Sequence, residues 1–199
     1  MKNIAVFGGT FNPVHIGHIE MAKAVSNLDF IDELLIIPDK IPPHKNPEFL
    51  ASDEHRIAMC KLAFSGINKA KIDTREIYRG GKSYTFDTLC ELKNENKNAN
   101  IFLVCGGDMV LTLHTWYRYP DLVSLCEFIV FNRKGIEDKQ FYDAIENLKK
   151  SGAKITAFEN NITDVSSTQL RETIAKNNNL SGSITKEILT YIKENKVYG

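Results

Sequence analysis

The chain has 199 residues, 43% of them hydrophobic, enough to bury a core without disulfide or metal staples. Its 25 Lys and Arg are matched by 25 Asp and Glu, so it lacks the excess positive charge of a sequence-independent nucleic-acid binder. No apolar run is long enough to span a bilayer and the first residues show no signal-peptide layout. Cys60, Cys90, Cys105 and Cys126 lack C-x-x-C spacing and read as small core residues in a reducing cytosol.

Strand and helix patterns alternate along the chain. Residues 4–7 read as a strand and 19–25 as a helix; 33–37 read as a second strand, closed by Pro38. Ser52 or Asp53 can cap a helix that carries Ile57, Cys60, Leu62, Ala63 and Phe64. A strand over 71–74, a Gly80-Gly81 loop, a helix over 85–92 and a strong buried strand over 100–105 follow. Then come a strand over 127–131, a helix over 141–148, a weaker strand over 153–158, and helices over 168–175 and 186–193. The alternation predicts an α/β fold, a doubly wound parallel sheet with helices on both faces. Ligands of such sheets bind beyond the carboxyl ends of the strands, at the switch point. One domain over 1–199 is expected, with 164–199 packed on it.

The densest chemistry lies in Gly8-Gly9-Thr10-Phe11-Asn12-Pro13-Val14-His15-Ile16-Gly17-His18, between the first strand and the first helix. A strand, a glycine turn and a helix start make an anion site, where free N–H groups and the positive helix end converge. The spacing does not fit the dinucleotide fingerprint G-x-G-x-x-G, because Gly8 and Gly9 are adjacent and the next glycine is Gly17. His15 and His18 share a helix face. A zinc pair would need a third ligand that nothing nearby supplies, and purely structural histidines stay open on the pattern alone. Gly80-Gly81-Lys82-Ser83 imitates the end of a P-loop, but Glu76 stands where its first glycine is required.

The Gly8–His18 segment resembles the signature of the nucleotidyltransferase superfamily, (H/T)-x-G-H, in the form found in bacterial nicotinate-nucleotide adenylyltransferases. Asp164-Val165-Ser166-Ser167-Thr168-Gln169-Leu170-Arg171 is similar to that superfamily's second signature; by itself it is a hydroxyl-rich helix start with an arginine one turn inside. The resemblance implies a Rossmann-like nucleotidyltransferase fold. It also implies ATP binding by Gly8, Gly9, Thr10, His15, His18, Gly106, Asp108, Ser167, Thr168 and Arg171. Thr10, His15 and His18 are the implied catalytic set. The acceptor would be held by Asn12, by His44 and Lys45 of the Pro42-Pro43-His44-Lys45 loop, by Thr85 of Ser83-Tyr84-Thr85, and by Trp116 and Tyr117. Gly107 departs from the Ala or Ser that the family carries between Gly106 and Asp108. Ile188-Leu189-Thr190-Tyr191-Ile192 resembles the closing helix. Arg133, past a strand end, could add positive charge, whereas His55, His114 and Arg56 match no motif: His55 reads as a helix-surface residue, His114 as a structural or rim residue, and Arg56 as a surface or ion-pairing residue.

What the resemblance implies is transfer of adenylate from ATP to nicotinate mononucleotide, in NAD biosynthesis. Mg2+ would arrive with ATP and be held mostly by phosphates, since no carboxylate cage is visible in the sequence. Expected partners are the two substrates, with no nucleic acid and no membrane; a homodimer rests on base rates alone. Other readings are the same chemistry on nicotinamide mononucleotide or phosphopantetheine, a nucleotide-binding module without turnover, and a cofactor-using oxidoreductase, which the glycine spacing disfavours.

Overall fold

The computed structural model describes residues 1–43, 50–133, 137–176 and 182–198, with the side chains of 133 and 159–161 left out. His44, Lys45 and the Arg133 side chain therefore lie outside the described residues. Six strands, β1 (Asn3–Gly9), β2 (Glu33–Pro38), β3 (Ala70–Ile72), β4 (Asn100–Gly106), β5 (Glu127–Arg133) and β6 (Ile155–Ile162), form one parallel sheet in the order β3-β2-β1-β4-β5-β6. The described helices are α1 (Ile16–Ser26), α2 (Asp53–Phe64), α3 (Arg75–Arg79), α4 (Thr85–Glu95), α5 (Gly107–Thr112), α6 (Tyr119–Leu125), α7 (Asp138–Lys150), α8 (Ser167–Ala175) and α9 (Lys186–Glu194).

The strands are apolar on both sides because both faces are covered. The two-residue side-chain period splits their residues between two cores. Ala5, Phe7, Leu34, Ile36, Phe102, Val104, Ile129 and Phe131 pack with Met21 and Val25 of α1, Met59 and Phe64 of α2, and Ile188 and Ile192 of α9. Ile4, Val6, Leu35, Ile37, Ile101, Leu103, Phe128 and Val130 pack with Leu89 and Leu92 of α4, Leu122 of α6, and Phe141, Ile145 and Leu148 of α7.

The order reverses between β1 and β4, and the ladders show why a crevice opens there. β1 pairs with β2 from Ile4 to Gly9, but its register with β4 runs only from Asn3↔Asn100 to Val6↔Leu103. Beyond Val6 the carboxyl ends of β1 and β4 part, and the chain leaves the sheet on either side of the gap.

Several expected boundaries shift. α1 starts at Ile16 rather than 19, with His15 as its N-cap in extended geometry (φ −136°, ψ 174°); histidine is not a usual capping residue, so the composition gave no warning. β3 ends at Ile72 because Asp73 turns its carboxylate onto the Arg75 main-chain N–H at 2.9 Å, and α3 begins there. The last strand runs over Ile155–Ile162 instead of 153–158, with a register irregularity opposite Phe131 to Arg133. The short helices α3, α5 and α6 have no counterpart among the expected elements. Cys60, Cys105 and Cys126 are buried and free, whereas Cys90 is only partly buried and stays outside the core.

Candidate active site

The turn after β1 owes its shape to Phe11. This residue sits in the left-handed region at φ 48°, and its buried ring meets Phe7 and Phe64 edge-on at 5.6 and 5.8 Å. The ring folds back over Gly9, where an added Cβ would lie 3.0 Å from its tip, so any larger residue there would require the packed ring to give way. At the start of α1 the rings of His15 and His18 stack with centroids 3.6 Å apart. The His15 main-chain N–H donates to His18 Nδ1 at 3.3 Å. An imidazole nitrogen that accepts carries no proton, so neutral His18 is the Nε2–H tautomer and offers a donor from that nitrogen.

Gly17, between the imidazoles, is a second site of close approach. A Cβ there would stand 2.6 Å from the Thr163 carbonyl oxygen. Thr163 is itself tied to α1, its N–H and hydroxyl both donating to the Glu20 carboxylate at 2.7 and 2.9 Å. This brings the start of α8 against the turn. Ser166 caps α8 by accepting from Gln169 N–H, Ser167 Oγ donates to Pro13 O at 3.4 Å, and Arg171 donates to Asn12 O at 2.8 Å and to Thr168 Oγ1 at 3.2 Å.

The turn is held from below by a charged pair that the sequence reading did not assign to the site. Thr10 Oγ1 donates to Asp39 Oδ2 at 2.8 Å. Arg56 of α2 is 0% exposed. It donates to Thr10 O at 3.1 Å, Asp39 O at 2.6 Å, Asp39 Oδ1 at 3.3 Å and Asp53 Oδ1 at 2.6 Å. The surface reading of Arg56 is thus corrected, and its ion pairing is retained. A guanidinium can be buried here because its rigid fork finds an acceptor in several directions. The Asp at the end of β2 and an Arg in a helix look unrelated in sequence, and only folding brings them together.

These elements surround a cleft of about 770 Å³ at the switch point. All the described residues expected in the site line it: Gly8, Gly9, Thr10, Asn12, His15 and His18 from the turn; Thr85, Gly106 and Asp108; Trp116 and Tyr117; and Ser167, Thr168 and Arg171. Tyr117 is 50% exposed and lies against Tyr84 at 4.5 Å, and the Arg118 guanidinium stands 4.2 Å over the Phe86 ring. Trp116 is half-buried on the cleft wall rather than sealed in the core. The Gly106-Gly107 step caps α5 in extended geometry. His114 is exposed and does not line the cleft, and partly buried His55 shares a ring-nitrogen contact of 2.9 Å with Tyr191 Oη.

Glu76, a further wall residue, is buried and accepts from Thr88 Oγ1 at 2.6 Å. Burial pushes its carboxyl above the usual range, against the opposing hydrogen bond from Thr88. Among the described residues no three His, Cys, Asp or Glu side chains come together as a metal site, and no helix is long and apolar enough to cross a membrane.

Comparison with known proteins gives a consistent result. Residues 6–173 match the cytidylyltransferase-like family. The chain is 36% identical over 196 residues to a probable nicotinate-nucleotide adenylyltransferase of Listeria monocytogenes, covering 98% of this chain and 97% of the relative. It is 36% identical over 198 residues to the nicotinate-nucleotide adenylyltransferase of Bacillus subtilis, covering 100% and 99%. In fold it is similar to the Plasmodium falciparum nicotinic acid mononucleotide adenylyltransferase solved with NaAD, with TM-score 0.82, 23% identity, and coverage of 100% of this chain and 98% of that one.

Proposed function

This chain belongs to the cytidylyltransferase-like family and, within it, to the nicotinate-nucleotide adenylyltransferases, and from that premise we propose that it transfers adenylate from ATP to nicotinate mononucleotide in NAD biosynthesis. The products are nicotinate adenine dinucleotide and pyrophosphate. The observation that carries the reading is the stacked His15–His18 pair at the switch point, with the start of α8 docked against the same turn.

The acceptor is a phosphate, largely ionised at neutral pH, so it needs neither a general base nor an enzyme nucleophile. One of its oxygens bonds to the α-phosphorus of ATP as the bond to the β,γ-bridging oxygen breaks and pyrophosphate leaves. The chemical problem is to bring two anions together and to stabilise charge on the α-phosphoryl oxygens, which fixed donors do without reorganising. His18 donates from Nε2, and His15 works beside it. Gly8, Gly9 and Thr10 shape the cradle, and Ser167, Thr168, Arg171, Gly106 and Asp108 hold ATP. Asn12, Thr85, Trp116 and Tyr117 receive the mononucleotide, with Trp116 stacking on the pyridine ring. His44 and Lys45, outside the described residues, are assigned to the same substrate on the family resemblance alone.

Mg2+, when bound with ATP, supplies charge neutralisation on the triphosphate. We take the ion to be held mainly by the substrate oxygens, as is usual for Mg2+ carried with a nucleoside triphosphate. The whole chain acts as one domain with 164–199 packed on the sheet, in the cytoplasm, and a homodimer is the assembly to test for.

The deciding experiment compares pyrophosphate release from ATP with nicotinate mononucleotide, nicotinamide mononucleotide and phosphopantetheine as acceptors. The acid mononucleotide is expected to give the highest kcat/KM. Greater turnover on either other acceptor would overturn the substrate assignment, and ATP binding without any product would point to an inactive module.

A further inference from the structure

Tyr198 lies 186 positions from Asn12, yet its hydroxyl donates to Asn12 Oδ1 at 2.6 Å. The same oxygen accepts the Ala51 main-chain N–H at 3.0 Å. A carboxamide oxygen has two lone pairs. With both engaged, the amide cannot flip without setting its NH2 group against the Ala51 N–H. The main chain of Asn12 is fixed separately, by the Arg171 bond to its carbonyl. Asn12 is buried and lines the cleft. Three segments distant in sequence, those of Ala51, Arg171 and Tyr198, thus hold one residue of the signature turn.

The backbone that delivers the phenol is unfavourable. Lys196 and Tyr198 have φ values of 50° and 77°, in the left-handed region that side chains other than Asn, Asp and Gly seldom occupy. Lys196 directly follows the C-cap Asn195, where many helices end in a left-handed residue, and two contacts hold the segment beyond it. Val197 is buried in the core beside α9, with its N–H on Ile192 O at 3.0 Å, and Tyr198 bonds to Asn12. Val197 alone would anchor the segment; the phenol adds a polar tie to the cleft. Burial also pushes the Tyr198 phenol above its ordinary pKa, so it remains a donor through the neutral range.

We propose that Tyr198 is a positioning residue for adenylyl transfer, holding the Asn12 amide in the orientation that receives the mononucleotide. The inference rests on the functional reading above. It is tested with Tyr198→Phe, Asn12→Ala and the double variant, using pyrophosphate release, thermal melting and hydrogen exchange of the free protein. Losing one buried hydrogen bond should raise the mononucleotide KM of Tyr198→Phe by roughly 3- to 10-fold. The ATP KM should stay within about twofold and the melting temperature within a few degrees. In the Asn12→Ala background Tyr198→Phe should add nothing. Exchange of amides 10–18 should speed up in Tyr198→Phe while the β-strands keep their protection.

Unchanged kinetics, an equal loss for both substrates, or effects that multiply in the double variant would overturn the proposal. So would unaltered exchange at 10–18, whichever acceptor the wild type prefers. Wild-type failure with nicotinate mononucleotide would instead remove the functional reading, with the exchange data still deciding the coupling.

Discussion

At the scale of single residues, His18 is the side chain whose chemistry is most constrained. Its Nδ1 accepts the His15 N–H, so the ring is held in one tautomer with Nε2–H as the remaining donor. Truncation to Ala removes that donor and leaves the cap carbonyl of His15 in place. His18→Ala is expected to lower kcat by about 10²-fold or more, the usual loss for one donor to a developing anion, with an unchanged circular dichroism spectrum. Wild-type turnover in a folded variant would take the imidazole out of the mechanism. Glu76 gives a different test. Its pKa is raised by burial, so the folded state binds this proton more tightly than the unfolded chain does. The associated stability is present below the ordinary carboxylate pKa and is lost as pH rises through the folded value. Glu76→Gln keeps an oxygen for Thr88 and has no charge to bury. Its melting temperature relative to wild type should therefore be higher at pH 8 than at pH 4. An equal offset at both values would mean that burial is not what moves this group.

At the scale of elements, the contact between α1 and the segment leading to α8 decides whether the two pieces proposed to hold the phosphates meet. A methyl group at Gly17 would approach the Thr163 carbonyl to 2.6 Å, and that carbonyl cannot retreat easily because Thr163 is held twice by Glu20. Gly17→Ala should cost about 1–3 kcal/mol by overpacking. By displacing the imidazoles relative to α8 it should also lower kcat about tenfold or more. Calorimetry and turnover would read the two effects separately; a destabilised variant with full activity would show that Thr163 gives way instead. Elements differ in how legible they are in sequence. Strands β1, β2, β4 and β5 are continuous apolar runs, and α2 offers Ser52 or Asp53 as a cap, of which Ser52 is used, so these elements lie close to their expected places. α3, α5 and α6 have only five, six and seven residues, too few turns for an apolar stripe to repeat. α6 even begins after a left-handed Arg118 rather than a standard cap.

At the scale of the whole molecule, the cleft gathers residues from the start, middle and last third of the chain because the strand order reverses between β1 and β4. The motif residues were recognisable one by one, since each motif is a local run of residues. The Arg56–Asp39–Thr10 tie and the Tyr198–Asn12 bond were not, since each joins distant positions and nothing in either short stretch names its partner. The same topology makes a prediction about how ligands are felt. ATP phosphates should engage the turn and the start of α8, whereas the mononucleotide should engage the Ser83–Thr88 and Trp116–Tyr117 side; the two meet only at the turn. Hydrogen exchange should therefore show ATP protecting amides 8–18 and 166–171. The mononucleotide should protect 84–88 and 117, and the dinucleotide product should protect both sets at once. Local protection reports the contact made by each ligand, whereas global stabilisation by mass action, about 2.7 kcal/mol at a ligand concentration 100 times Kd, would slow only the amides that exchange through full unfolding. Working at equal multiples of Kd for each ligand separates these contributions. If the mononucleotide alone protected 166–171, the two sides of the cleft would have to exchange their assigned substrates.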